Sequence, residues 1–299
     1  MPAPAPAPQA MMHLATRHNL KGALRLGIHL GLILAAGLAV AWAPGWWLAP
    51  AELALGMLLA ALFAPFHETS HYTAFASRRA NAVVGWLVAL PGLHSWPMYQ
   101  AFHRQHHLHT HDPDRDPELL APEPSGPFSY LIRVSGFTYW RTRLGWMWDG
   151  LRGNVSAHRF IPDGQQPRMI RLLRLQLALT LALIAGITLA FGWRALVLFW
   201  LLPAVLGQIP LRMYLLTEHT GLPHSRDGLE NTRTTLTTAL LRLVMWNMPY
   251  HAEHHLYPFI PFHALPAAHQ LLRHQLQAVQ PGYARWQWGY LKRLARTPA

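Results

Sequence analysis

Four long apolar stretches constrain the fold of this chain more than any other feature. They run over 23–43, 51–66, 172–193 and 195–216. A helix rises 1.5 Å per residue, so about 20 apolar residues cross a ~30 Å hydrocarbon core. Only 13% of the residues are charged and 52% are hydrophobic, against about 25% charged in soluble domains. The sequence therefore predicts an all-α integral membrane protein with about four transmembrane helices.

The segments between these stretches have distinct compositions. The first stretch could be a signal peptide, because Ala41-Trp42-Ala43 resembles a cleavage site, but its length favours a retained span. Residues 82–93 are apolar but too short to cross, which indicates a partly embedded hairpin or an interfacial helix. The polar, Pro- and Gly-rich segment 112–168 is expected to lie on the bilayer surface. We expect a disordered tail over 1–20, one membrane domain over 21–275 and a cytoplasmic tail over 276–299.

Basic residues predict the orientation in the membrane. The net charge of +12 comes from residues spread singly between apolar segments, which argues against nucleic acid as a partner. By the positive-inside rule both termini are cytoplasmic, and four crossings place all the histidine motifs described next on the cytoplasmic side. The flanking basic residues on that side are Arg17, Lys21, Arg25, Arg78, Arg79, Arg168, Arg171, Arg174, Lys292, Arg293 and Arg296.

Eight histidines occur in three spaced groups, which we call boxes one, two and three. On a helix, residues i, i+3 and i+4 share a face, so each box can aim its imidazoles at one point. Imidazole binds zinc, iron, copper and nickel, and three converging boxes offer too many nitrogens for one tetrahedral zinc. The pattern indicates a metal site with two metals. Box one is His67 and His71, box two is His103, His106 and His107, and box three is His251, His254 and His255.

His219 ends the fourth apolar stretch and is a ninth candidate ligand. Ligating imidazoles usually give their other N–H to a carboxylate or carbonyl group, and we assign that role to Glu68, Asp116, Glu118 and Glu253. Weaker candidates, near the site by sequence, are His109, His111, His224 and His263. His29 is expected to be packed within the first span. The remaining histidines that show no partner pattern are His13, His18, His158, His269 and His274.

Two functions of other classes fit parts of the pattern. His67-Glu68-Thr69-Ser70-His71 also fits HExxH, the helix motif of zinc metalloproteases, with Glu68 as general base. A protease would leave six boxed histidines unexplained, and spans three and four contain no aspartate to complete its site. A metal transporter should carry ionisable residues well within its spans, whereas the second and third stretches have them only near their first residues, at Glu52 and Arg174.

Around the boxes the sequence resembles the membrane fatty acid desaturase superfamily, which includes hydroxylases and carotenoid ketolases. The resemblance covers roughly residues 25–275 and rests on the three boxes in order. The flanking residues agree: Asp114-Arg115-Asp116-Pro117-Glu118 follows box two, and Asn247-Met248-Pro249-Tyr250 precedes box three.

The resemblance implies two iron ions held by the eight boxed histidines, with His219 matching an extra ligand that some members have. It implies activation of O2 and removal of hydrogen from an unactivated C–H bond of a lipid or fatty acyl chain. We expect desaturation first, hydroxylation second, and a ketolase or alkane-type hydroxylase or decarboxylase as alternatives. The expected location is a bacterial inner membrane.

The sequence departs from the family pattern in features that concern the substrate and the electron-donor protein. Box one is HxxxH rather than the longer HxxxxH of many acyl-CoA desaturases, which weighs against an acyl-CoA substrate. The sequence has no cysteine and no His-Pro-Gly-Gly motif of a fused cytochrome b5. Electrons are therefore expected from a separate ferredoxin, rubredoxin or cytochrome b5 type protein with its reductase.

Overall fold

The fold is given by a computed structural model, which describes residues 6–296. Within these residues the chain is mostly helical. The α-helices are α1 Pro8–Met11, α2 Asn19–Trp42, α3 Leu48–Ala61, α4 Phe63–Ser70, α5 Arg78–Ala89, α6 Trp96–His109, α7 Pro127–Val134, α8 Phe137–Arg152, α9 Gln166–Phe191, α10 Trp193–Leu196, α11 Leu202–His219, α12 Ala239–Val244, α13 His251–Leu256, α14 Leu265–Leu272 and α15 Tyr283–Leu294. Short 3-10 turns cover Met12–Leu14, Gly45–Trp47, Pro117–Leu120 and Asp163–Gln165, and a π-helical turn covers Val197–Leu201.

Four helical segments are long and apolar enough to cross a membrane. They are Asn19–Trp42, Gly45–Ser70, Asp163–Phe191 and Trp193–His219. The first and third expose most of their apolar side chains at the protein surface, which a water-facing protein of this composition could not sustain. The prediction of an all-α membrane fold with four spans is confirmed.

Glycines bring the second and fourth spans into backbone contact. A Cβ added to Gly56 would lie 2.4 Å from the Pro203 oxygen, and one added to Gly207 would lie 1.9 Å from the Gly56 oxygen. Small residues at such crossings allow close approach of membrane helices. This contact positions box one, at the end of the second span, against His219 at the end of the fourth.

The segment after box one forms a helical hairpin, α5 and α6, whose tip reaches the fourth span. Trp200 donates its Nε1–H to the Pro91 oxygen at 2.8 Å. The π-helical turn Val197–Leu201, which contains Trp200, is a departure from α-helical geometry that commonly marks functional segments. The contact agrees with a hairpin that enters the membrane region only partly. Box two lies on the returning helix, α6.

An apolar cluster supports the box helices from within the bundle. Phe63 and Phe66 of α4 pack with Trp96 at the start of α6, and with Trp246 and Phe262 near box three. Trp246 and Phe66 are completely buried. Boxes one and two thus sit on helices whose apolar faces share one core.

Both ends of the described chain pack against the helical bundle. Met11 is buried in a cluster with Leu265 and Leu272, so residues 8–14 form a short helical segment held by α14, while residues 1–5 lie outside the described residues. At the other end, α15 packs Trp286 and Tyr290 against α7 and α11. The apolar spacing of these short segments is too brief to reveal such long-range packing from sequence.

Two short strands fix the loop before box three. Strand β1 (Thr234–Leu236) pairs in parallel with β2 (Val279–Pro281), with Thr234 opposite Val279. Thr234 is fully buried and, as shown below, contacts the box-three helix.

Candidate metal centre

The structure brings all nine predicted ligands together at the ends of four helices. Box one lies at the carboxyl end of α4, box two on the last two turns of α6, box three on α13, and His219 is the last residue of α11. Box one, box two, His219 and box three are each separated from the next by more than thirty residues of sequence. Convergence of these residues therefore results from the packing of the helices.

Five of the histidines form what we call cluster one. Each offers a ring nitrogen, and these nitrogens all lie within 4.8 Å of one another. His107 Nε2 lies 3.0 Å from His103 Nε2 and 3.2 Å from His254 Nε2. Two nitrogens that bind one ion at about 2.1 Å and at right angles lie about 3.0 Å apart. Cluster one consists of His67, His71, His103, His107 and His254.

A second group, cluster two, lies beside the first. His106, His219 and His255 offer ring nitrogens within 4.8 Å of one another. His251 joins them through its Nε2, which lies 3.2 Å from His219 Nε2. The rings of His107 and His255 stack across the boundary between the clusters, 4.2 Å apart.

The adjacent histidines of boxes two and three divide between the clusters. Neighbours on a helix are about 100° apart, so His106 turns to cluster two while His107 turns to cluster one. His254 and His255 divide in the same way. The expectation that each box aims at a single point holds for box one only. A dipeptide of two histidines supplies one ligand to each of two sites.

The chemistry of these side chains fits metal ions. Buried ring nitrogens of His67, His71, His254 and His255 have no hydrogen-bond partner among the described residues, and orphaned buried polar atoms are costly. Burial, reinforced by neighbouring His106, lowers the pKa of His71 to about 3. The imidazole of His71 is thus held neutral, which is the form that binds metals.

Three partners orient ligands of cluster two and hold their Nδ1 atoms. Asp116 accepts from His106 Nδ1 at 3.0 Å, the Asn231 carbonyl accepts from His219 Nδ1 at 3.1 Å, and Thr110 Oγ1 lies 3.2 Å from His255 Nδ1. Each contact leaves Nε2 facing the cluster. Burial lowers the pKa of His106, but the carboxylates of Glu118 and Asp116 outweigh it and the net shift is upward. Asp116 therefore contacts a box histidine as the sequence predicts.

Glu118 lies on the other side of the same ring. Its Oε2 is 3.2 Å from His106 Nε2, the nitrogen turned toward cluster two. A carboxylate at that position is placed to bind the same ion as His106. It does not contact Nδ1, the nitrogen that faces away from the cluster. The sequence could not separate these roles, because both need an acidic residue shortly after box two.

Among the described residues, Glu68 and Glu253 form hydrogen bonds with groups other than the box histidines, and their expected role stays a prediction. Glu68 Oε1 accepts the Phe262 N–H at 2.8 Å, and Glu253 makes short hydrogen bonds to Thr234 and His269. Each glutamate follows a box histidine by one or two positions, which turns it away from the cluster. Through these hydrogen bonds, Glu68 and Glu253 connect the box helices to the segments that pack against them.

The other histidines lie outside the clusters. His29 is buried and its Nε2 donates to the Leu58 carbonyl at 2.9 Å, as expected for a packed residue. His111 donates to the Pro223 carbonyl and its ring lies 5.5 Å from that of His219. His269, to which the sequence assigned no partner, binds Glu253. His94 was given no role by the sequence, yet it is buried beside Phe66 with ring centroids 4.5 Å apart.

Strained backbone positions adjoin the box helices. Tyr72, His111, Trp246 and Asn247 have φ between 49° and 61°, the left-handed region that non-glycine residues rarely adopt. Tyr72 directly follows box one, His111 follows the helix of box two, and the other two precede box three. Such strain persists where surrounding structure fixes the chain, and it is frequent at functional sites.

Two cavities reach the clusters from outside. One of about 500 Å³ is lined by His71, His103 and His107 together with Arg104 and Arg168. Another, of about 360 Å³, is lined by His107 and His255 and by Arg115 and Arg226. Both clusters are therefore accessible to small reactants.

Comparison with known proteins places this geometry in a family. The family described as fatty acid desaturase matches residues 12–287. The chain is 28% identical over 298 residues to a dihydrorhizobitoxine desaturase of Bradyrhizobium elkanii, covering 91% of this chain and 80% of that protein. It is 32% identical to a beta-carotene ketolase of Paracoccus sp. (strain PC1), covering 71% and 75%. It is 23% identical to a chloroplastic omega-6 fatty acid desaturase of Brassica napus, covering 85% and 60%.

Proposed function

The chain belongs to the fatty acid desaturase family, and from that premise we propose that it uses O2 to oxidise an unactivated C–H bond of a lipid or fatty acyl chain. Membership makes it a membrane oxidoreductase of the desaturase and hydroxylase type. The proposal adds two iron ions, held by the nine histidines, and favours desaturation over hydroxylation. The observation that carries it is the convergence of these histidines in two adjoining clusters with unpartnered ring nitrogens.

The ions, when bound, would supply the activation of O2 that organic side chains cannot provide. His67, His71, His103, His107 and His254 would hold one, and His106, His219, His251 and His255 the other. The chain itself orients the imidazoles through Asp116, Asn231 and Thr110. Buried aromatic rings such as Phe63 and Phe66 exclude water from the side toward the membrane.

A carotene ketolase is a second candidate for the reaction. The 32% identity to a beta-carotene ketolase is higher than that to the fatty acid desaturase of Brassica napus. Both reactions begin at an unactivated C–H bond of an apolar substrate, so the same clusters would serve either. Product analysis with a fatty acyl lipid and with a carotenoid, in membranes that contain the protein, separates the two.

The zinc protease alternative is disfavoured by the position of Glu68. A general base must face the metal-bound water, whereas the Glu68 carboxylate accepts the Phe262 N–H on the other side of α4. His67 and His71 also share their site with three further histidines.

Metal analysis of the purified protein, expressed in iron-replete medium, tests the proposal. We expect about two irons per chain, and no turnover in His107→Ala or His254→Ala although both variants remain folded. His219→Ala should lose iron. His274→Ala, an exposed histidine outside the clusters, should match the parent protein. One zinc without iron, or full activity in either box variant, would reject the proposal.

Desaturation consumes electrons that the chain cannot store. Two hydrogens from the substrate, two electrons and two protons reduce one O2 to two waters, so an external donor must supply the electrons. We propose a separate donor protein that docks over the 360 Å³ cavity, where Arg226 is 82% exposed beside His107 and His255. Asp112 also lines this cavity and pairs with both Arg115 and Arg226, so the rim keeps one excess positive charge, which fits an acidic carrier.

The docking proposal is tested by reductase-coupled turnover. Arg226→Glu should raise the KM for an acidic donor and reduce its dependence on salt, because one attractive charge becomes repulsive. Arg194→Glu, in the turn at the opposite end of the fourth span, is the matched control. A turnover rate independent of ionic strength would contradict electrostatic docking.

A further inference from the structure

Two arginines meet in the interior without an acidic partner. Arg143 of α8 and Arg212 of α11 both lie over the ring of Tyr139, with their Cζ atoms 5.3 Å and 4.7 Å from its centroid. Nε and Nη1 of Arg143 and Nε of Arg212 are buried and have no hydrogen-bond partner. Among the described residues neither arginine forms an ion pair. Both side chains are half-buried, so two like charges are held together with part of their hydration removed.

Such an arrangement is costly for a protein that binds nothing there. Partial removal of a charge from water without an ionic partner is unfavourable, and contact with aromatic rings replaces only part of the lost hydration. Glu118 and Glu218 interact electrostatically with Arg212, but each lies against a histidine, Glu118 against His106 and Glu218 against His251. The pair lacks the anion that would neutralise it.

Neighbouring groups add donors around the same place. Trp140 Nε1 is buried without a partner and lies near Gly136, where the turn between α7 and α8 touches Gln208 of the fourth span. The Tyr139 hydroxyl donates to the Gly92 carbonyl and lies 3.1 Å from His94 Nε2. Guanidinium and indole N–H groups recognise an anion, and two guanidinium groups match the oxygens of a carboxylate.

The pair adjoins cluster one through a short row of aromatic rings. The hydroxyl of Tyr139, whose ring lies under both guanidinium groups, is 3.1 Å from His94 Nε2. The centroids of the His94 and Tyr99 rings are 6.5 Å apart, and Tyr99 stacks on His103 with centroids 4.8 Å apart and an angle of 14°. A group bound at the arginines therefore lies on the side of Tyr139 opposite to a row of rings that leads to the metal ligands.

We propose that Arg143 and Arg212 bind a carboxylate group of the substrate and so determine which C–H bond reaches cluster one. This inference rests on the proposed function, because it assigns the substrate of that same site. The oxidised carbon would then be set by its distance from the anionic end. Arg143 and Arg212 act as specificity-determining residues and take no part in holding the ions.

Binding of simple carboxylates to the purified full chain in a non-ionic detergent tests the assignment. The probes are unbranched carboxylates from butyrate to laurate, each compared with its methyl ester, with binding measured by calorimetry at fixed ionic strength. We expect at least one chain length to bind tenfold or more tightly as the carboxylate than as the ester, a difference of about 1.4 kcal/mol. Arg212→Gln should abolish that preference, and Arg143→Lys should retain part of it.

The matched control is Arg141→Gln, which removes an exposed arginine from the same helix as Arg143 and should leave carboxylate binding unchanged. Equal binding of acid and ester, or an unchanged preference in Arg212→Gln, would overturn the proposal. Inorganic phosphate that binds more tightly than every carboxylate would also overturn it. If Arg212→Gln does not fold, the carboxylate preference of Arg143→Lys decides, and a preference equal to that of the parent protein would overturn the proposal.

Iron content measured on the same samples separates this inference from the proposed function. Two irons per chain without a carboxylate preference would reject the arginine site alone. A carboxylate preference that depends on Arg212 in a protein that cannot bind iron would reject the di-iron function and leave the anion site standing.

Discussion

At the scale of single residues, the hydrogen bond from His106 Nδ1 to Asp116 decides how well one ligand is oriented. Asp116 is 4% exposed and also accepts the backbone N–H groups of His111 and Glu118. One carboxylate thereby fixes the imidazole, the end of α6 and the position of Glu118. Loss of this carboxylate should therefore disturb the geometry of cluster two more than loss of a single hydrogen bond elsewhere.

Asp116→Asn should weaken iron binding about 10–100-fold, the usual cost of losing such a partner. The substitution keeps the shape of the side chain but removes the charge that holds the Nδ1 proton. Iron retained after dialysis against a chelator measures the effect. Asp114→Asn, at an exposed position two residues earlier, should retain iron as the parent does, and equal loss in both variants would contradict the argument.

His94 gives a second residue-scale prediction, which concerns pH. Burial, and then the charges of Arg143 and Arg212, lower its pKa well below 6.5 in the folded protein. The unfolded chain therefore binds a proton near pH 6.5 that the folded protein does not, so the free energy of unfolding falls as the pH drops below that value. Denaturation in mixed micelles at pH 7 and pH 5 should show this loss, and His94→Gln should show a smaller one. An equal loss of unfolding free energy in His94→Gln would refute the assignment of this pH dependence to His94.

At the scale of helices, the crossing of the second and fourth spans controls where the ligands meet. Gly56 and Gly207 allow α3 and α11 to touch through their backbones. Box one and His219 stand at the ends of these two segments. A change in the crossing would therefore move the ligands of both clusters relative to each other.

Gly207→Ala should destabilise the protein by about 1–3 kcal/mol, the usual cost of overpacking a filled contact. The new methyl group would lie 1.9 Å from the Gly56 oxygen, so the spans must separate. A lower thermal unfolding temperature and a reduced iron content are expected. Gly186→Ala in α9, where an added Cβ meets no atom within 4 Å, serves as control, and similar behaviour of the two variants would rule out the packing argument.

At the scale of the whole molecule, the helices bring every box to one end of the four spans. All nine histidines lie beyond or at the ends of Gly45–Ser70 and Trp193–His219 that face away from the turns at Pro44 and Gly192. With the positive-inside rule, this end is proposed to be cytoplasmic, together with both termini.

The absence of cysteine from the sequence makes this orientation directly testable. Arg226→Cys, beside the clusters, should react with an impermeant maleimide only after right-side-out vesicles are opened. Arg194→Cys, at the opposite turn, should react in intact vesicles. Reaction of both from the same side would refute the topology.

Much of the fold was predictable because its signals are local. The lengths of the apolar stretches gave the spans, and the spacing of histidines on α4, α6 and α13 gave the candidate ligands. Separation into two clusters was not predictable, because it depends on how those helices face one another. The meeting of Arg143 with Arg212 is likewise a product of long-range packing, and two isolated arginines carry no motif. Glu253 shows the limit of proximity in sequence: it lies inside box three and still binds His269.

The division of adjacent histidines between the clusters couples the two sites through the backbone. An ion bound in cluster one would fix His107 and His254, and through the neighbouring peptide units it would also restrict His106 and His255. Binding of a first ion would then order ligands for a second and lower the entropy lost when the second binds. Titration of the metal-free protein should accordingly yield a steep loading curve in which half-loaded chains are scarce, and iron should leave the protein in pairs.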